Sequence, residues 1–191
     1  MVRMAAGRPW SRRLRRPPGM PRRDWDRFLL VLAVVALVAT LVVRFVGVRD
    51  AAGRPAWRVD RIHDGDTVSC RDESDAIRKI RLVGIDAPEL DQPFGRESRA
   101  ALVTLLAGGV VRVESHGIDK HGRLLGRLFV ADDDVNLALV DAGWAWSFGG
   151  FAGDAELEAA EERARAARLG LWAGNDPIRP SRWRDLHPSR P

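Results

Sequence analysis

Residues 81–89 read Arg-Leu-Val-Gly-Ile-Asp-Ala-Pro-Glu. If this stretch begins as a β-strand, alternate side chains point to opposite faces, so Arg81 lies opposite its apolar neighbours Ile80 and Leu82. A cation inside an apolar strand is costly to bury unless an anion lies beside it. Asp86 and Glu89 follow at the end of the strand. We therefore expect an arginine and two carboxylates to meet there.

Pro88 separates these two carboxylates. Because a proline disfavours helical backbone at the residue before it, Ala87 is held in an extended conformation. This keeps the side chains of Asp86 and Glu89 apart and makes the carbonyl of Ala87 a possible metal ligand. A hard cation such as Ca²⁺ accepts carboxylates, carbonyls and water together.

Two further turn segments combine acids with basic residues, Asp-Gly-Asp-Thr (64–67) and Asp-Lys-His-Gly-Arg (119–123). Each segment alone is compatible with an ordinary turn or hairpin. Phosphodiester hydrolysis needs a base for water, a cation at the phosphoryl oxygens and donors for the developing charge. The three segments together can supply this set: Asp66 and Asp86 for a metal, Glu89 to orient or deprotonate water, and Arg81 and Arg123 to clamp phosphate.

From Trp57 onward, short apolar strands alternate with turn signals. Strands are expected over residues 57–62, 67–71, 77–83, 110–114 and 124–130, and helices over residues 95–107, 134–142 and from 154 until Gly170. Asp134 can cap the second helix, and the third carries acids first and arginines last, as the helix dipole favours. Five strands with about three helices predict an α+β fold, mainly β, built as a five-stranded OB-fold barrel.

Charge is distributed unevenly along the chain. Residues 1–56 carry 12 Lys+Arg and 3 Asp+Glu, a net charge of +9, whereas residues 57–191 carry 19 and 23, a net charge of −4. A broad electrostatic attraction of the domain for nucleic acid is therefore not supported, and binding must depend on local arginines. The single Cys70 excludes an intramolecular disulfide and a zinc site built on cysteines.

An apolar run of 21 residues, 28–48, precedes the domain. As a helix it would rise about 31 Å, enough to cross the core of a bilayer. Arg44 interrupts the run near its end, where its side chain can reach the headgroups. The sequence predicts a transmembrane helix over 28–48, after a basic, disordered segment at 1–27 and before a linker at 49–56.

Two interpretations of this run stay open. An uncleaved anchor with arginines on its N-terminal side places the N-terminus in the cytoplasm and the domain outside. A cleaved signal peptide would instead give a secreted protein, but the residues after the run, Val-Arg-Asp-Ala-Ala-Gly (48–53), put a charge before each suitable cleavage point. The anchor is therefore favoured.

The order of these motifs resembles the thermonuclease (staphylococcal nuclease-like) family. The likeness spans residues 57–175 and leaves a Pro- and Arg-rich tail at 176–191. The segments that carry it are 64–67, 81–89, 119–123 and Val-Asn-Leu-Ala-Leu-Val (135–140), with Gln-Pro-Phe-Gly (92–95) and Leu-Gly-Leu-Trp (169–172) beside them.

This resemblance implies an OB barrel that hydrolyses DNA and RNA on the 5′ side of the phosphodiester with limited sequence selectivity. It implies one Ca²⁺ ion at Asp66, Asp86 and the carbonyl of Ala87, with Asp64 as a further acid near the metal. It also implies that Arg81, Glu89 and Arg123 are catalytic. We expect the protein to be a monomer.

One departure from the family concerns substrate contacts, because the chain contains no tyrosine. By position, His121, Gly149 and Phe151 replace the substrate-contacting tyrosines of the family. His121 and Phe151 can still stack on a base, whereas Gly149 cannot. With Lys120, these two residues are the expected substrate contacts.

Three classes of function fit the sequence to different degrees. A metal-dependent, membrane-tethered nuclease uses every residue named above. A catalytically silent OB-fold module for oligonucleotide or protein is the alternative, since a fold can keep its groove and lose its chemistry. A scaffold without a ligand leaves the buried arginine and the convergent acids unexplained. The first class is the prediction.

Overall fold

The computed structural model of the chain describes residues 21–45, 48–150, 154–174 and 176–188. It divides into two compact units, Met1–Val46 and Gly47–Pro191.

The first unit contains helix α1 (Arg22–Phe45), which covers most of the predicted transmembrane segment. Residues 46–47 of that segment lie outside the described ranges, as do residues 1–20 of the segment predicted to be disordered. Within the described residues, no helix combines the length and the apolar character that crossing a membrane requires.

The second unit is built on a closed barrel of five strands, with three short strands beside them. The strands are β1 (Trp57–Ile62), β2 (Thr67–Arg71), β3 (Ile77–Leu82), β4 (Ile85–Asp86), β5 (Val110–Ile118), β6 (Leu124–Val130), β7 (Asp133–Asp134) and β8 (Trp146–Ser147). Antiparallel pairs follow the order β3-β2-β1-β5-β6, and a parallel pairing of β3 with β6 closes the ring. The predicted five-stranded barrel is confirmed, and β1 and β2 have the predicted bounds.

The strand expected over residues 77–83 ends one residue earlier, and a short second strand follows it. β3 ends at Leu82, and a turn at Val83 and Gly84 leads into β4, which pairs with β8 in a separate small sheet. Gly84 has a φ of +72°, a left-handed conformation that side chains other than glycine rarely adopt. Arg81 therefore lies on the strand before the turn, and Asp86 lies on the strand after it.

Four helices pack around the barrel, α2 (Gly95–Leu105), α3 (Val135–Asp141), α4 (Asp154–Ala166) and α5 (Pro180–Leu186). The first three correspond to the predicted helices, and the carboxylate of Asp134 caps α3 by accepting the backbone N–H of Leu137. α5 is an addition to the predicted three and lies in the tail. It begins with a buried Pro180, whose fixed φ suits the first turn of a helix.

The barrel interior and the inner faces of the helices form one apolar core. Its members come from β2, β3, β5, β6 and from α2, α3 and α4, and include Val68, Ile80, Leu82, Val111, Leu128, Leu102, Leu139 and Leu157. Cys70 is also in this core, and burial raises the pKa of its thiol to about 12. The cysteine is thus a small core residue, as its surroundings in the sequence suggest.

A buried amide joins the core to the bend after β3. Asn136 on α3 donates to the carbonyl of Val83 (2.8 Å) and accepts the backbone N–H of Leu128 on β6 (3.1 Å). Asn136 is fully buried, so these bonds satisfy a side chain that would otherwise be destabilising. The amide fixes the bend that leads from Arg81 to Asp86.

Two glycines allow the loops around Asp66 and Glu89 to pack against α2. A Cβ on Gly65 would lie 2.0 Å from the hydroxyl of Ser98, and a Cβ on Gly95 would lie 1.8 Å from the carbonyl oxygen of Glu89. Both distances are far below a van der Waals contact. The loop of Asp66 can therefore approach α2 because Gly65 has no side chain, and the loop of Glu89 can approach it because Gly95 has none.

We predict that Gly95→Ala displaces the backbone of Glu89. The added methyl group meets a backbone atom that cannot rotate away, so the free energy of unfolding should fall by about 1–3 kcal/mol. Gly108→Ala is the matched control, since a Cβ there meets no atom within 4 Å. Thermal melting of both variants measures the effect, and equal melting temperatures for the two would contradict the packing argument.

Candidate active site

The predicted site residues line one cleft of about 890 Å³. Its floor is formed by the start of β2 and the end of β3, and its walls by the segment 83–89 and the β5–β6 loop. The cleft brings together Asp64, Asp66, Arg81, Asp86, Ala87, Glu89, Lys120, His121 and Arg123. The remaining candidate, Phe151, lies outside the described residues.

Arg81 stands at the centre of this cleft. It lies opposite Thr67 in the β2–β3 ladder, which brings it next to Asp66 at the start of β2. Its Nη1 is 2.6 Å from Asp66 Oδ2, and its Nη2 is 2.8 Å from Asp86 Oδ1. The side chain is only 18% exposed. The anions expected beside this embedded cation are therefore Asp66 and Asp86.

The carboxylate of Asp66 is buried and has several hydrogen-bond partners. It accepts the backbone N–H of Ala87 (2.7 Å) and the hydroxyl of Thr67 (3.0 Å) in addition to Arg81. Burial raises its pKa to about 7; Arg81 and the N–H of Ala87 oppose the shift, and Asp64 and Asp86 increase it. Burial also raises the pKa of Asp86, against the effect of Arg81. One guanidinium thus faces several acids, and the site favours additional positive charge.

This donor set fits a hard cation better than a soft one. Within the described residues, no three His, Cys, Asp or Glu side chains converge closely enough to hold a metal by themselves. A cation here would take Asp66, Asp86, the carbonyl of Ala87 and water, all of them oxygen ligands. Oxygen ligands suit Ca²⁺, whereas Zn²⁺ in proteins takes mainly nitrogen and sulfur.

The backbone of Glu89 is held by its own loop. Gln92 accepts the backbone N–H of Glu89 through its side chain (3.2 Å) and donates its own backbone N–H to the carbonyl of Glu89 (2.9 Å). Gln92 is buried, so these bonds are shielded from water. The side chain of Glu89 remains 36% exposed at the cleft. A carboxylate in this position can reach a bound water.

Arg184 is a site residue that sequence reasoning missed. Helix α5 places its Nη1 2.5 Å from Glu89 Oε1, across 95 positions of sequence. Phe148 and Lys79 also line the cleft without having been predicted, and Phe148 is half exposed. The tail was predicted only as a Pro- and Arg-rich segment, and nothing in its local sequence indicated that Arg184 would contact Glu89.

Arg123 belongs to the loop between β5 and β6. Its Nε and Nη2 are both 2.8 Å from Asp119 Oδ2, and the other carboxylate oxygen accepts the backbone N–H groups of His121 and Arg123. Partial burial tends to raise the pKa of Asp119, but these hydrogen bonds outweigh it and lower the pKa to about 2. Asp119 therefore organises the loop that carries Lys120, His121 and Arg123.

The chain is similar to a known protein family and to several known proteins. The profile of a family described as "Staphylococcal nuclease homologue" matches residues 79–174. An uncharacterized endonuclease of Haemophilus influenzae is 39% identical over 127 residues, 66% of this chain and 71% of that protein. An uncharacterized endonuclease of Escherichia coli O157:H7 is 41% identical over 128 residues, 66% and 83% of the two chains. A micrococcal nuclease of Shigella flexneri is 35% identical over 169 residues, 80% and 93% of the two chains.

We predict that Asp119→Asn weakens the fold in a pH-dependent way. A carboxyl whose pKa is lower in the folded protein stabilises the fold above its unfolded pKa of about 4, and the stabilisation is lost as pH falls towards 2. The melting temperatures of parent and variant should differ at neutral pH and converge between about pH 4 and pH 2. Glu73→Gln, in the exposed turn between β2 and β3, is the control. A difference that does not change over this range would contradict the assignment.

Proposed function

The chain belongs to the family of staphylococcal nuclease homologues, and on this basis we propose that it is a calcium-dependent nuclease that hydrolyses phosphodiester bonds of DNA, RNA or both with little sequence specificity. One observation carries the proposal. Two buried carboxylates, the arginines Arg81 and Arg123 and the partly exposed Glu89 line one cleft. The domain has a negative net charge and does not attract nucleic acid as a whole, so in this proposal the local arrangement supplies the affinity for the substrate.

In this proposal Arg81 and Arg123 bind the phosphoryl oxygens. Carboxylates already hold both guanidinium groups, Asp66 and Asp86 the first and Asp119 the second. The donors are therefore oriented before substrate arrives and need little rearrangement as charge develops. A planar guanidinium can offer two parallel N–H groups to a phosphate, which the ammonium of lysine cannot.

Glu89 takes the proton of the attacking water in the same scheme. Its backbone is fixed through Gln92, and its side chain lines the cleft. Asp66, Asp86 and the carbonyl of Ala87 would hold Ca²⁺, with Asp64 adding negative charge nearby. Bound Ca²⁺ would supply positive charge near the phosphoryl oxygens, in addition to the charge of the two arginines.

The proposal is tested with the purified full-length chain and single-stranded DNA and RNA oligonucleotides. We expect cleavage in Ca²⁺ and loss of cleavage in excess chelator, and weaker activity in Mg²⁺ or Zn²⁺ because the oxygen ligands form a flexible site. Full cleavage in excess chelator would show that the activity does not depend on a metal ion. No cleavage under any condition, with binding of the oligonucleotide retained, would favour a binding module.

Site variants separate the proposed roles. Glu89→Gln keeps the shape and removes the base, and Arg123→Lys keeps the charge and removes the fork, so each should lower turnover about a hundredfold to a thousandfold. Asp86→Asn should instead shift activity to higher Ca²⁺ concentrations. Steady-state cleavage across a calcium titration measures all three, with melting curves to show that each variant folds. Arg182→Lys on the exposed side of α5 is the control, and parental rates for folded Glu89→Gln and Arg123→Lys would refute the assignment.

A membrane tether forms the second part of the proposal. The apolar run over residues 28–48 supports it, together with the arginines before the run. The arginines favour an N-terminus in the cytoplasm and a domain outside. A nuclease in that position would act on extracytoplasmic nucleic acid.

This topology predicts the outcome of protease treatment. Protease added to intact cells, with any outer barrier permeabilised, should remove the domain from its anchor. Digestion only after lysis would reverse the orientation. N-terminal sequencing of the mature protein separates the two interpretations of the run: a start near Ala52 or Gly53 would show a cleaved signal peptide, and an intact N-terminus would show an anchor.

A further inference from the structure

The C-terminal tail is attached to the candidate active site at several points. The buried amide of Gln92, whose side-chain oxygen accepts from Glu89, donates its N–H to the carbonyl of Ile178 (2.5 Å). Arg179 donates to the carbonyl of Ser147 on β8 (3.2 Å), and β8 pairs with the strand that carries Asp86. The tail is therefore bound to the loop of Glu89 and to the sheet next to Asp86.

Apolar contacts fix the orientation of α5. Trp183 lines a cavity of about 220 Å³ together with Phe94, Trp146, Leu171 and Ile178, between the tail and the body of the domain. Pro180 is buried at the start of the helix. These contacts place Trp183 inward and its neighbour Arg184 on the side of the cleft, whereas Arg182 stays on the exposed side.

Arg184 is the most accessible of the three described arginines that line the cleft. Its side chain is 55% exposed, against 18% for Arg81 and 29% for Arg123. The guanidinium of Arg81 is bound by two buried carboxylates, and that of Arg123 makes two contacts with Asp119 of its own loop. Among the described residues, the guanidinium of Arg184 makes one ion pair, with the partly exposed Glu89. An incoming anion can take this guanidinium without breaking a buried pair.

We propose that Arg184 is a substrate-binding residue that takes a phosphate of the bound strand next to the scissile one. The ion pair with Glu89 keeps Arg184 in the cleft before substrate is bound. When a polynucleotide enters, the neighbouring phosphate competes with Glu89 for the guanidinium, and Glu89 is released towards the water. The inference rests on the proposed function, and it assigns part of the substrate site to a helix that lies after the residues matched by the family profile.

The chemistry favours a phosphate over other ligands. Partial burial lowers the pKa of Arg184, but its hydrogen bond with Glu89 and the negative charges of Asp86 and Asp66 outweigh this effect and raise the pKa. A guanidinium stays charged at any working pH, and Arg184 lines the same cleft as Arg81 and Arg123. Two phosphates of one strand can be bound at once, the scissile one by the inner arginines and the next by Arg184.

The test compares two substrates that differ by one phosphate, the dinucleoside monophosphate and the trinucleoside diphosphate of thymidine. Arg184→Gln should raise KM for the longer substrate roughly fivefold to tenfold and leave the shorter one unchanged, as expected for the loss of one charge-assisted contact at an exposed side chain. Arg184→Lys should recover part of the loss because a point charge still attracts phosphate. Arg182→Gln removes the same charge from the same helix and should change neither substrate.

A binding measurement separates this inference from the proposed function. Fluorescence anisotropy of a labelled hexathymidylate, in excess chelator and at several salt concentrations, reports binding without cleavage. Arg184→Gln should weaken binding and lower the slope of log K against log salt by about 0.7, the value for one phosphate of a single strand. This result would support Arg184 even if no cleavage were found.

Three outcomes would overturn the inference while the nuclease proposal stands. The first is an unchanged KM for both substrates in folded Arg184→Gln. The second is an equal fall in kcat for both substrates with KM unchanged, which would make Arg184 a positioning residue for Glu89. The third is an equal effect of Arg182→Gln, which would show that only the total charge of α5 matters.

Discussion

The double ion pair of Arg81 is the interaction on which the site depends. A guanidinium on a buried strand and two buried carboxylates would each destabilise the fold alone, and removing one partner of such a group costs about 3–5 kcal/mol. Together they bind the start of β2, through Asp66, to the end of β4, through Asp86. The bend at residues 83–84 is thereby fixed from the cleft side, while Asn136 fixes it from the core side.

The same charges explain how an acidic domain can act on a polyanion. Residues 57–191 carry a net charge of −4, yet the cleft contains Arg81, Arg123 and Arg184, each held by a carboxylate. Paired arginines are not attractive to nucleic acid at a distance, so they give little steering. They act at contact, where a phosphate can share or replace a carboxylate, and where a hard cation can neutralise the acids that remain. Local geometry thus takes the place of net charge.

Much of the barrel could be predicted because its signals are local. Alternating strands and turn residues placed β1 and β2 at the observed bounds, and an aspartate cap placed the start of α3. The bend after Leu82 was missed, since the strand was expected to run through Val83, whereas the chain turns there through the left-handed Gly84 into β4. Arg184 could not be predicted at all, because its partner Glu89 lies 95 positions earlier and the contact depends on how Trp183 packs.

The three arginines differ in what holds them, and this difference has consequences for how each can move. Arg81 lies on barrel strand β3 and is anchored to Asp66, just before β2, and to Asp86 on β4, so it is held at both ends of its guanidinium group. Among the described residues, the guanidinium of Arg123 is held by Asp119 of the same loop, so no contact ties it to the strands of the barrel. Arg184 is anchored to Glu89, the residue proposed to accept a proton. Any phosphate that takes Arg184 therefore changes the charge around Glu89, which couples substrate binding to the chemistry without a movement of the barrel.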